Sequence, residues 1–200
     1  MNPEELLDLK REVSRISIKA YERGLVFGTG GNISARIPGT GLALITATGV
    51  SLGDTTVENL SVIDIETGEP TPDSPAKPSK ERYFHAAVYR IRPDINALCH
   101  LHPPYATALS VDYGEMPLVT ITAEVNLVKV PCAPCAVSGS QDLRKYVEDT
   151  VAATPGVKAI LMCRHGLLSL GQTLVQAYNL ADLTEDSARA AFLVEMLRKK

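Results

Sequence analysis

Apolar residues recur every three or four positions at the start of the chain, and this spacing predicts an amphipathic helix over residues 3–23. Its apolar positions are Leu6, Leu9, Val13, Ile16 and Ala20. Gly24 is expected to end the helix. The same spacing predicts a helix over residues 142–153, capped near Ser140, and a long closing helix over residues 173–197.

Short apolar runs bounded by glycine, proline or polar residues predict β-strands between these helices. The predicted strands cover residues 41–46, 62–65, 97–102 and 157–163. The segment 118–130 also has the composition of a strand, with Glu124 inside an apolar stretch.

A polar segment with four prolines, residues 66–79, predicts a loop that leads into a further helix. We expect this helix to begin at Ser79, a good N-cap residue, and to run to about Arg90. Lys80 then falls in the first helical turn, where its charge opposes the helix dipole. A bound phosphate would remove that conflict, whereas an ordinary capped surface helix would not.

Composition indicates an ordered globular chain, because 45% of its 200 residues are hydrophobic and 22% are charged. We expect one domain over residues 1–200. The net charge is −3 and no basic run is present, which argues against a nucleic-acid partner. The chain has no 18-residue apolar run and an acidic start, so we expect a cytoplasmic protein with no membrane partner.

Four cysteines, Cys99, Cys132, Cys135 and Cys163, are expected to be reduced thiols in such a protein. Two of them spell Cys-x-x-Cys at residues 132–135. No second pair accompanies this motif, and it precedes a loop rather than a helix. We therefore expect neither a zinc knuckle nor a redox pair there.

Three of the four histidines lie at the ends of predicted strands. His100 and His102 are two apart, so their side chains share one face of the strand. His165 follows another strand and precedes Gly166. Three imidazoles form a typical donor set for a catalytic zinc ion with one open position. The alternative is a pair of surface or hydrogen-bonded histidines on an edge strand.

Three further stretches have groups that can hold an anion, namely backbone amides, hydroxyls, an amide side chain and a lysine. They are the glycine-rich turn at Gly28–Ser34 with Asn32, the Thr48-Gly49 turn after a strand, and Ser79-Lys80 at the expected helix start. Each stretch alone is equally compatible with an ordinary turn or cap.

Five motifs in this order resemble the class II aldolase/adducin family, over roughly Glu5 to Leu197. They are Gly-Asn-Ile-Ser, Thr-Ala-Thr-Gly, Lys-Pro-Ser-Lys-Glu, His-Leu-His-Pro and His-Gly. The resemblance implies a three-layer α/β/α sandwich around a mostly antiparallel sheet. It also implies a homotetramer with fourfold symmetry and sites near subunit interfaces.

The same resemblance implies roles for particular residues. The zinc ligands would be His100, His102 and His165, with another divalent metal as an alternative to Zn²⁺. Glu81 would be the catalytic acid/base and would ligate the metal when substrate is absent. The substrate phosphate would bind at Asn32, Thr48, Gly49, Ser79 and Lys80. Such a metal stabilises, as a Lewis acid, the enediolate left when a C–C bond of a small sugar phosphate breaks.

The spelling Lys-Pro-Ser-Lys-Glu and the run from Thr48 to Gly53 resemble the branch that decarboxylates 3-oxo-tetronate 4-phosphate to dihydroxyacetone phosphate. The L-fuculose-phosphate aldolase branch usually has Ser at the position of Lys80 and a catalytic Tyr near Thr120. We therefore expect the decarboxylation, with retro-aldol cleavage of a ketose 1-phosphate as the alternative.

Two other readings stay open. Branches that epimerise pentulose phosphates or dehydrate methylthioribulose 1-phosphate carry an acid near Glu124, which makes Glu124 a candidate second acid/base. It is equally compatible with a solvated residue on an edge strand. The adducin branch is an interaction module without the metal histidines. Because all three histidines and Glu81 are present here, an enzyme is favoured.

Overall fold

In the computed structural model, which describes residues 2–199, seven strands form one sheet in the order β3-β2-β1-β4-β7-β6-β5. The strands are β1 (Asn32–Arg36), β2 (Leu42–Thr46), β3 (Leu60–Asp64), β4 (Ala97–Leu101), β5 (Cys132–Ala133), β6 (Ala159–Met162) and β7 (Gly166–Gly171). Within these residues every neighbouring pair is antiparallel except β5 with β6. The expected mostly antiparallel sheet is confirmed, and β4 is its central strand.

Helices cover both faces of the sheet. They are α1 (Pro3–Glu22), α2 (Arg82–Ile91), α3 (Pro104–Leu109), α4 (Ile121–Leu127), α5 (Gln141–Ala152) and α6 (Leu174–Arg198). One apolar core joins the sheet to α1, α3, α4 and α6, and a second joins it to α2 and α5. This arrangement confirms the three-layer α/β/α sandwich. None of the helices within residues 2–199 is long and apolar enough to cross a bilayer.

Side-chain alternation on β4 divides its residues between the two cores. Ala97, Cys99 and Leu101 pack in the core with α6, whereas Leu98 packs in the core with α2. His100 shares the face of Leu98, and its ring meets the ring of Phe84 edge-on. The sheet therefore presents His100 on the side of α2.

The predicted strand over residues 118–130 is wrong, because residues 121–127 form α4. The Thr120 hydroxyl accepts a hydrogen bond from the Ala123 N–H and begins the helix. Ala123 and Leu127 are buried one turn apart, while Ile121 and Val125 are exposed. Because apolar residues occupy both the buried and the exposed face of α4, the sequence does not show the spacing of three to four residues that predicts a helix.

The expected N-cap at Ser79 is also wrong, because α2 begins at Arg82 with Glu81 as its N-cap residue and no side-chain cap. The Ser79 N–H donates instead to the Thr46 carbonyl, at 3.1 Å. The chain therefore follows the end of β2 for longer than the sequence predicts and only then enters the helix.

Two cysteines that we expected to be reduced form a disulfide, Cys135–Cys163. Strands β5 and β6 pair in parallel, with Ala133 beside Met162, so their carboxyl ends lie at the same edge of the sheet. Cys163 directly follows β6 and Cys135 lies two residues beyond β5. Cys99 and Cys132 have free thiols, so the Cys-x-x-Cys motif itself is not a pair.

Candidate active site

Three imidazoles meet where β4 ends and β7 begins. His100 lies in β4, His102 directly follows Leu101, and His165 lies in the turn between β6 and β7. Because β4 and β7 are antiparallel, Leu101 pairs with Leu167, and this register brings the ends together. The ligand nitrogens of the three histidines all lie within 4.8 Å of one another.

The backbone sets the tautomer of His100. Its Nδ1–H donates to the Leu167 carbonyl at 2.9 Å, so in the neutral ring Nε2 carries a lone pair. That Nε2 lies 2.9 Å from His102 Nε2. Burial, together with the two neighbouring imidazoles of His100 and His165, lowers the pKa of His102 to about 3. The ring of His102 is therefore neutral near pH 7, the form in which imidazole binds a metal.

Glu81 lies against two of these imidazoles. Its Oε2 is 3.2 Å from His100 Nε2, and its Oε1 is 3.2 Å from His165 Nε2. Burial by itself would raise the pKa of Glu81, but the electrostatic influence of the neighbouring imidazoles of His100 and His165, together with the hydrogen bond from Ser138, outweighs it. The pKa of Glu81 therefore lies below its usual range, and the carboxylate is ionised.

A buried chain of hydrogen bonds holds Glu81 from the side of β1. Asn32 Nδ2 donates to Glu81 Oε2 at 2.8 Å, so the Asn32 carbonyl oxygen accepts from His85 Nε2. His85 Nδ1 then accepts from the Ser34 hydroxyl at 2.7 Å, and Ser34 accepts from Tyr89, at 2.8 Å. Burial lowers the pKa of His85 to about 3, which keeps it neutral. The donor and the acceptor of each hydrogen bond in this series are therefore defined.

The predicted anion-binding residues line a cleft of about 160 Å³ next to the imidazoles. Its lining residues are Thr29, Gly30, Gly31, Asn32, Ala47, Thr48, Gly49, Ser79, Lys80, Glu81, His102 and Ser138. The Thr48 N–H donates to the Lys77 carbonyl at 3.0 Å, and this contact brings two of the three predicted anion-binding stretches, Thr48-Gly49 and Ser79-Lys80, side by side. All five residues expected to bind phosphate therefore lie in the same cleft.

Close approach of the backbone explains one glycine of the cleft. A Cβ atom at Gly30 would lie 2.7 Å from His102 Nδ1, closer than such atoms approach in proteins. A side chain at this position would displace the ring of His102. Gly30 is therefore needed for the position of a candidate metal ligand.

The sequence analysis missed several functional contacts. Ser138, in the segment between β5 and α5, donates to Glu81 Oε1 at 2.7 Å, and nothing in its local sequence indicates this. Ser34, His85 and Tyr89 had a weak signal, because Asn32 and Ser34 alternate on one strand and His85 and Tyr89 are one helical turn apart. Glu124 lies on the exposed face of α4 and is not among the described residues that line the cleft.

Comparison with known proteins identifies the family. The model of the Class II Aldolase and Adducin N-terminal domain matches residues 11–192, so the chain belongs to this family. A Methanococcus vannielii protein named L-fuculose phosphate aldolase is 32% identical over 188 residues, which cover 94% of this chain and 97% of that protein.

Other relatives carry different names. A Haemophilus influenzae protein named 3-oxo-tetronate 4-phosphate decarboxylase is 34% identical over 180 residues, covering 88% of this chain and 82% of that protein. The crystal structure of L-fuculose-1-phosphate aldolase from Thermus thermophilus superposes with a TM-score of 0.82 at 28% identity, and 96% of each chain is covered. Family and fold agree with the resemblance found in the motifs, and the named relatives include both a decarboxylase and aldolases.

Proposed function

We propose that this member of the class II aldolase and adducin family, a class II aldolase-like lyase, is metal-dependent and decarboxylates 3-oxo-tetronate 4-phosphate to dihydroxyacetone phosphate and CO₂. One observation carries the proposal. Three imidazoles and an ionised carboxylate converge beside a cleft that is lined by anion-binding groups. The relative from Haemophilus influenzae, at 34% identity, supports the choice of substrate.

The donor set fits a zinc ion. We propose that His100, His102 and His165 hold one Zn²⁺ per subunit, because neutral imidazole nitrogens are preferred zinc ligands. His100 has a backbone carbonyl on its second ring nitrogen, a typical outer contact of a metal-binding imidazole. When bound, the metal supplies a Lewis acid for negative charge on a substrate oxygen.

Glu81 is placed to move the proton of the reaction. It is buried, ionised and held on both oxygens, so its carboxylate has little freedom to turn away from the imidazoles. In a decarboxylation the leaving CO₂ needs no proton, and only the carbon that has lost it must be protonated. We propose that Glu81 takes a proton from water and passes it to that carbon.

The part of the cleft that is lined by residues 48–49 and 79–80 is proposed to bind the substrate phosphate. Lys80 contributes a positive charge, and Ser79, Thr48 and Gly49 contribute hydroxyl and backbone N–H groups. Asn32 gives one amide hydrogen to Glu81, so its second N–H can donate to the phosphate. Asn32 would then link the position of the phosphate to that of the catalytic carboxylate.

Retro-aldol cleavage of a ketose 1-phosphate such as L-fuculose 1-phosphate is the second candidate, favoured by the relative from Methanococcus vannielii. This reaction must protonate an aldehyde oxygen. The position near which the aldolase branch carries its tyrosine is Thr120, which here caps α4. Dehydration or epimerisation has less support, since Glu124 is solvent-exposed. The three converging imidazoles and the Glu81 carboxylate beside them argue against an adducin-like interaction module.

A coupled assay for dihydroxyacetone phosphate on zinc-loaded protein tests these alternatives. One sample contains 3-oxo-tetronate 4-phosphate and the other contains L-fuculose 1-phosphate. Turnover of the first alone, with release of CO₂, supports the decarboxylase. Turnover of the second alone identifies an aldolase and overturns the proposed substrate. Turnover of neither leaves the dehydratase and epimerase, which release neither CO₂ nor an aldehyde.

We also propose that the chain forms a homotetramer. Ile121, Val125 and Val128, on α4 and just past its end, are 79%, 67% and 70% exposed. Exposed apolar side chains grouped on one short helix indicate a protein interface. Light scattering should give four times the 21.5 kDa subunit mass, and Ile121→Glu should lower it.

A further inference from the structure

Two side chains from different parts of the chain donate hydrogen bonds to the Glu81 carboxylate, one to each oxygen. Asn32 on β1 donates to Oε2, and Ser138 donates to Oε1, at 2.7 Å. Asn32 belongs to the buried hydrogen-bond chain described above. Ser138 belongs to a short segment outside the sheet, residues 134–140, whose own attachment therefore decides whether this second contact persists.

The segment 134–140 has few attachments of its own besides Ala136, which is partly buried against the core that joins the sheet to α2 and α5. Within residues 2–199, its one backbone hydrogen bond of the turn type joins the Ser140 N–H to the Val137 carbonyl, at 3.0 Å. The two-residue strand β5 precedes it, and Ser140 starts α5 by accepting from the Leu143 N–H. Between these two ends, the covalent tie is the Cys135–Cys163 disulfide.

The disulfide joins this segment to the turn that carries a candidate metal ligand. Cys163 lies two residues before His165, and Cys135 lies three residues before Ser138. The Cys163 N–H also donates to the Ala133 carbonyl at 3.0 Å, so the two backbones run side by side at this point. The bond therefore connects the donor to Glu81 with the element that positions His165.

We propose that Ser138 is a positioning residue for Glu81 and that the Cys135–Cys163 disulfide holds Ser138 in place. The role of Glu81 in turnover rests on the function proposed above, whereas the two contacts themselves do not. With the disulfide intact, both carboxylate oxygens have a fixed donor. Without it, segment 134–140 gains conformational freedom, and the hydroxyl spends less time at Oε1.

The disulfide is accessible to a reductant, because the side chain of Cys135 is exposed. A dithiol attacks the Sγ–Sγ bond, delivers two electrons and two protons, and is itself oxidised to a disulfide. The products in the protein are the two thiols of Cys135 and Cys163. Activity should therefore respond to reduction through Ser138.

Substitutions at Ser138 test the positioning role. We expect Ser138→Ala to lower kcat about 10-fold, as for the loss of one hydrogen bond to a charged group, with little change in KM. Ser138→Thr keeps the hydroxyl and should restore most of kcat. Zinc content should be unchanged in both. Wild-type kcat in Ser138→Ala would overturn the positioning role.

Reduction tests the disulfide in the same assay. The wild-type enzyme should lose kcat on reduction, while Ser138→Ala should lose none beyond its own defect. The double variant Cys135→Ser/Cys163→Ser should match the reduced enzyme and be insensitive to reductant, which controls for effects of the reductant on the metal. Equal activity of reduced and oxidised wild-type enzyme would contradict the proposed tie.

Three readouts do not depend on turnover. Alkylation of the unreduced, denatured protein followed by mass spectrometry should count two free thiols, and a count of four would overturn the disulfide. Hydrogen exchange in residues 134–140 should rise on reduction, and a crystal structure of Ser138→Ala should show Glu81 displaced. If no substrate is turned over, the proposed function fails while these measurements still decide the inference.

Discussion

Asn32 and His85 are joined by a hydrogen bond of defined direction, in which His85 Nε2–H donates to the Asn32 carbonyl oxygen. The direction follows from the other end of the amide, because Asn32 Nδ2 must donate to the Glu81 carboxylate, which only accepts. A histidine that does not line the cleft therefore helps to hold the amide group of Asn32 in the orientation that donates to the Glu81 carboxylate.

Ser34→Ala should impair catalysis without touching the cleft. The substitution removes the donor to His85 Nδ1, so the ring is held less firmly and its contact with the Asn32 carbonyl oxygen, which supports the donor to Glu81, is weakened. We expect a loss in kcat of about 10-fold, corresponding to one buried hydrogen bond. Nitrogen NMR of the imidazole should detect the loss of the hydrogen bond at Nδ1.

Ser17→Ala is a matched control for Ser34→Ala. Ser17 is also buried, and its hydroxyl donates only to the Val13 carbonyl within α1, at 2.8 Å. Ser17→Ala should reduce the free energy of unfolding by an amount similar to that of Ser34→Ala and leave kcat unchanged. Equal loss of activity in both variants would show that general destabilisation, rather than the hydrogen-bond chain, is responsible.

His102→Ala should abolish metal binding and turnover together. The variant loses one of the three converging imidazoles, so affinity for zinc should fall by orders of magnitude. Elemental analysis after dialysis measures bound metal, and thermal unfolding with and without added zinc should show a stabilising shift only in the wild type. An active, metal-free His102→Ala protein would exclude the proposed centre.

Glu81→Gln should keep the metal and lose most turnover. Glutamine is nearly the same size, but it cannot take up and return a proton, and we expect kcat to fall about 100-fold or more. Glu185→Gln is the matched control. Glu185 is a partly buried carboxylate outside the cleft that accepts from the N–H groups of Tyr105 and Ala106, and its amide variant should keep its activity.

Buried His85 should make the metal-free protein sensitive to acid. Its pKa is about 3 in the folded protein, against an ordinary value of 6.5 in the unfolded chain. Below pH 6.5 the unfolded state therefore binds a proton that the folded state does not. The free energy of unfolding should fall with decreasing pH between about 6.5 and 3, by about 1.4 kcal/mol per pH unit from this group.

Urea unfolding at pH 7 and pH 5 measures this dependence. The variant His85→Gln removes the titrating ring, so its free energy of unfolding should depend less steeply on pH, by the contribution of one bound proton. Other acid-sensitive groups contribute equally to both proteins. Identical slopes for the two proteins would mean that His85 does not control this part of the pH dependence.

Lys80→Met should weaken substrate binding more than it affects the chemical step. The lysine lines the cleft beside Ser79 and Thr48, where it can attract a phosphate. We expect KM to rise about 10-fold and the effect to shrink at high salt, because screening reduces the contribution of the charge. Lys145→Met removes an exposed lysine of α5 that pairs with Asp149 and should leave KM unchanged.

Local sequence patterns predicted those features of the molecule that depend on residues close together in the sequence. The alternation around His100 and the proline pair after His102 indicated a strand that ends in a site, and the structure places both residues there. The order of the motifs indicated the sandwich and the cleft. The strand needs only the periodicity of one element and the residues that terminate it, whereas the sandwich and the cleft were implied by the family resemblance.

The features that were missed depend on distant parts of the chain. The Cys135–Cys163 bond requires the parallel pairing of β5 and β6, and the Ser138 contact requires the placement of segment 134–140 beside Glu81. The buried chain at Ser34 and His85 requires the placement of α2 against β1. Ser79 failed as an N-cap because contact with the end of β2 overrides a good local capping signal.

The register between β4 and β7 has a consequence for how this protein can vary. Alternate residues of β4 face the two cores, and one of them, His100, also belongs to the candidate metal site. Inserting or deleting one residue between Ala97 and His102 would turn every side chain to the opposite face. Packing and catalysis would then fail in a single genetic event, so viable length variation is restricted to the connections between strands.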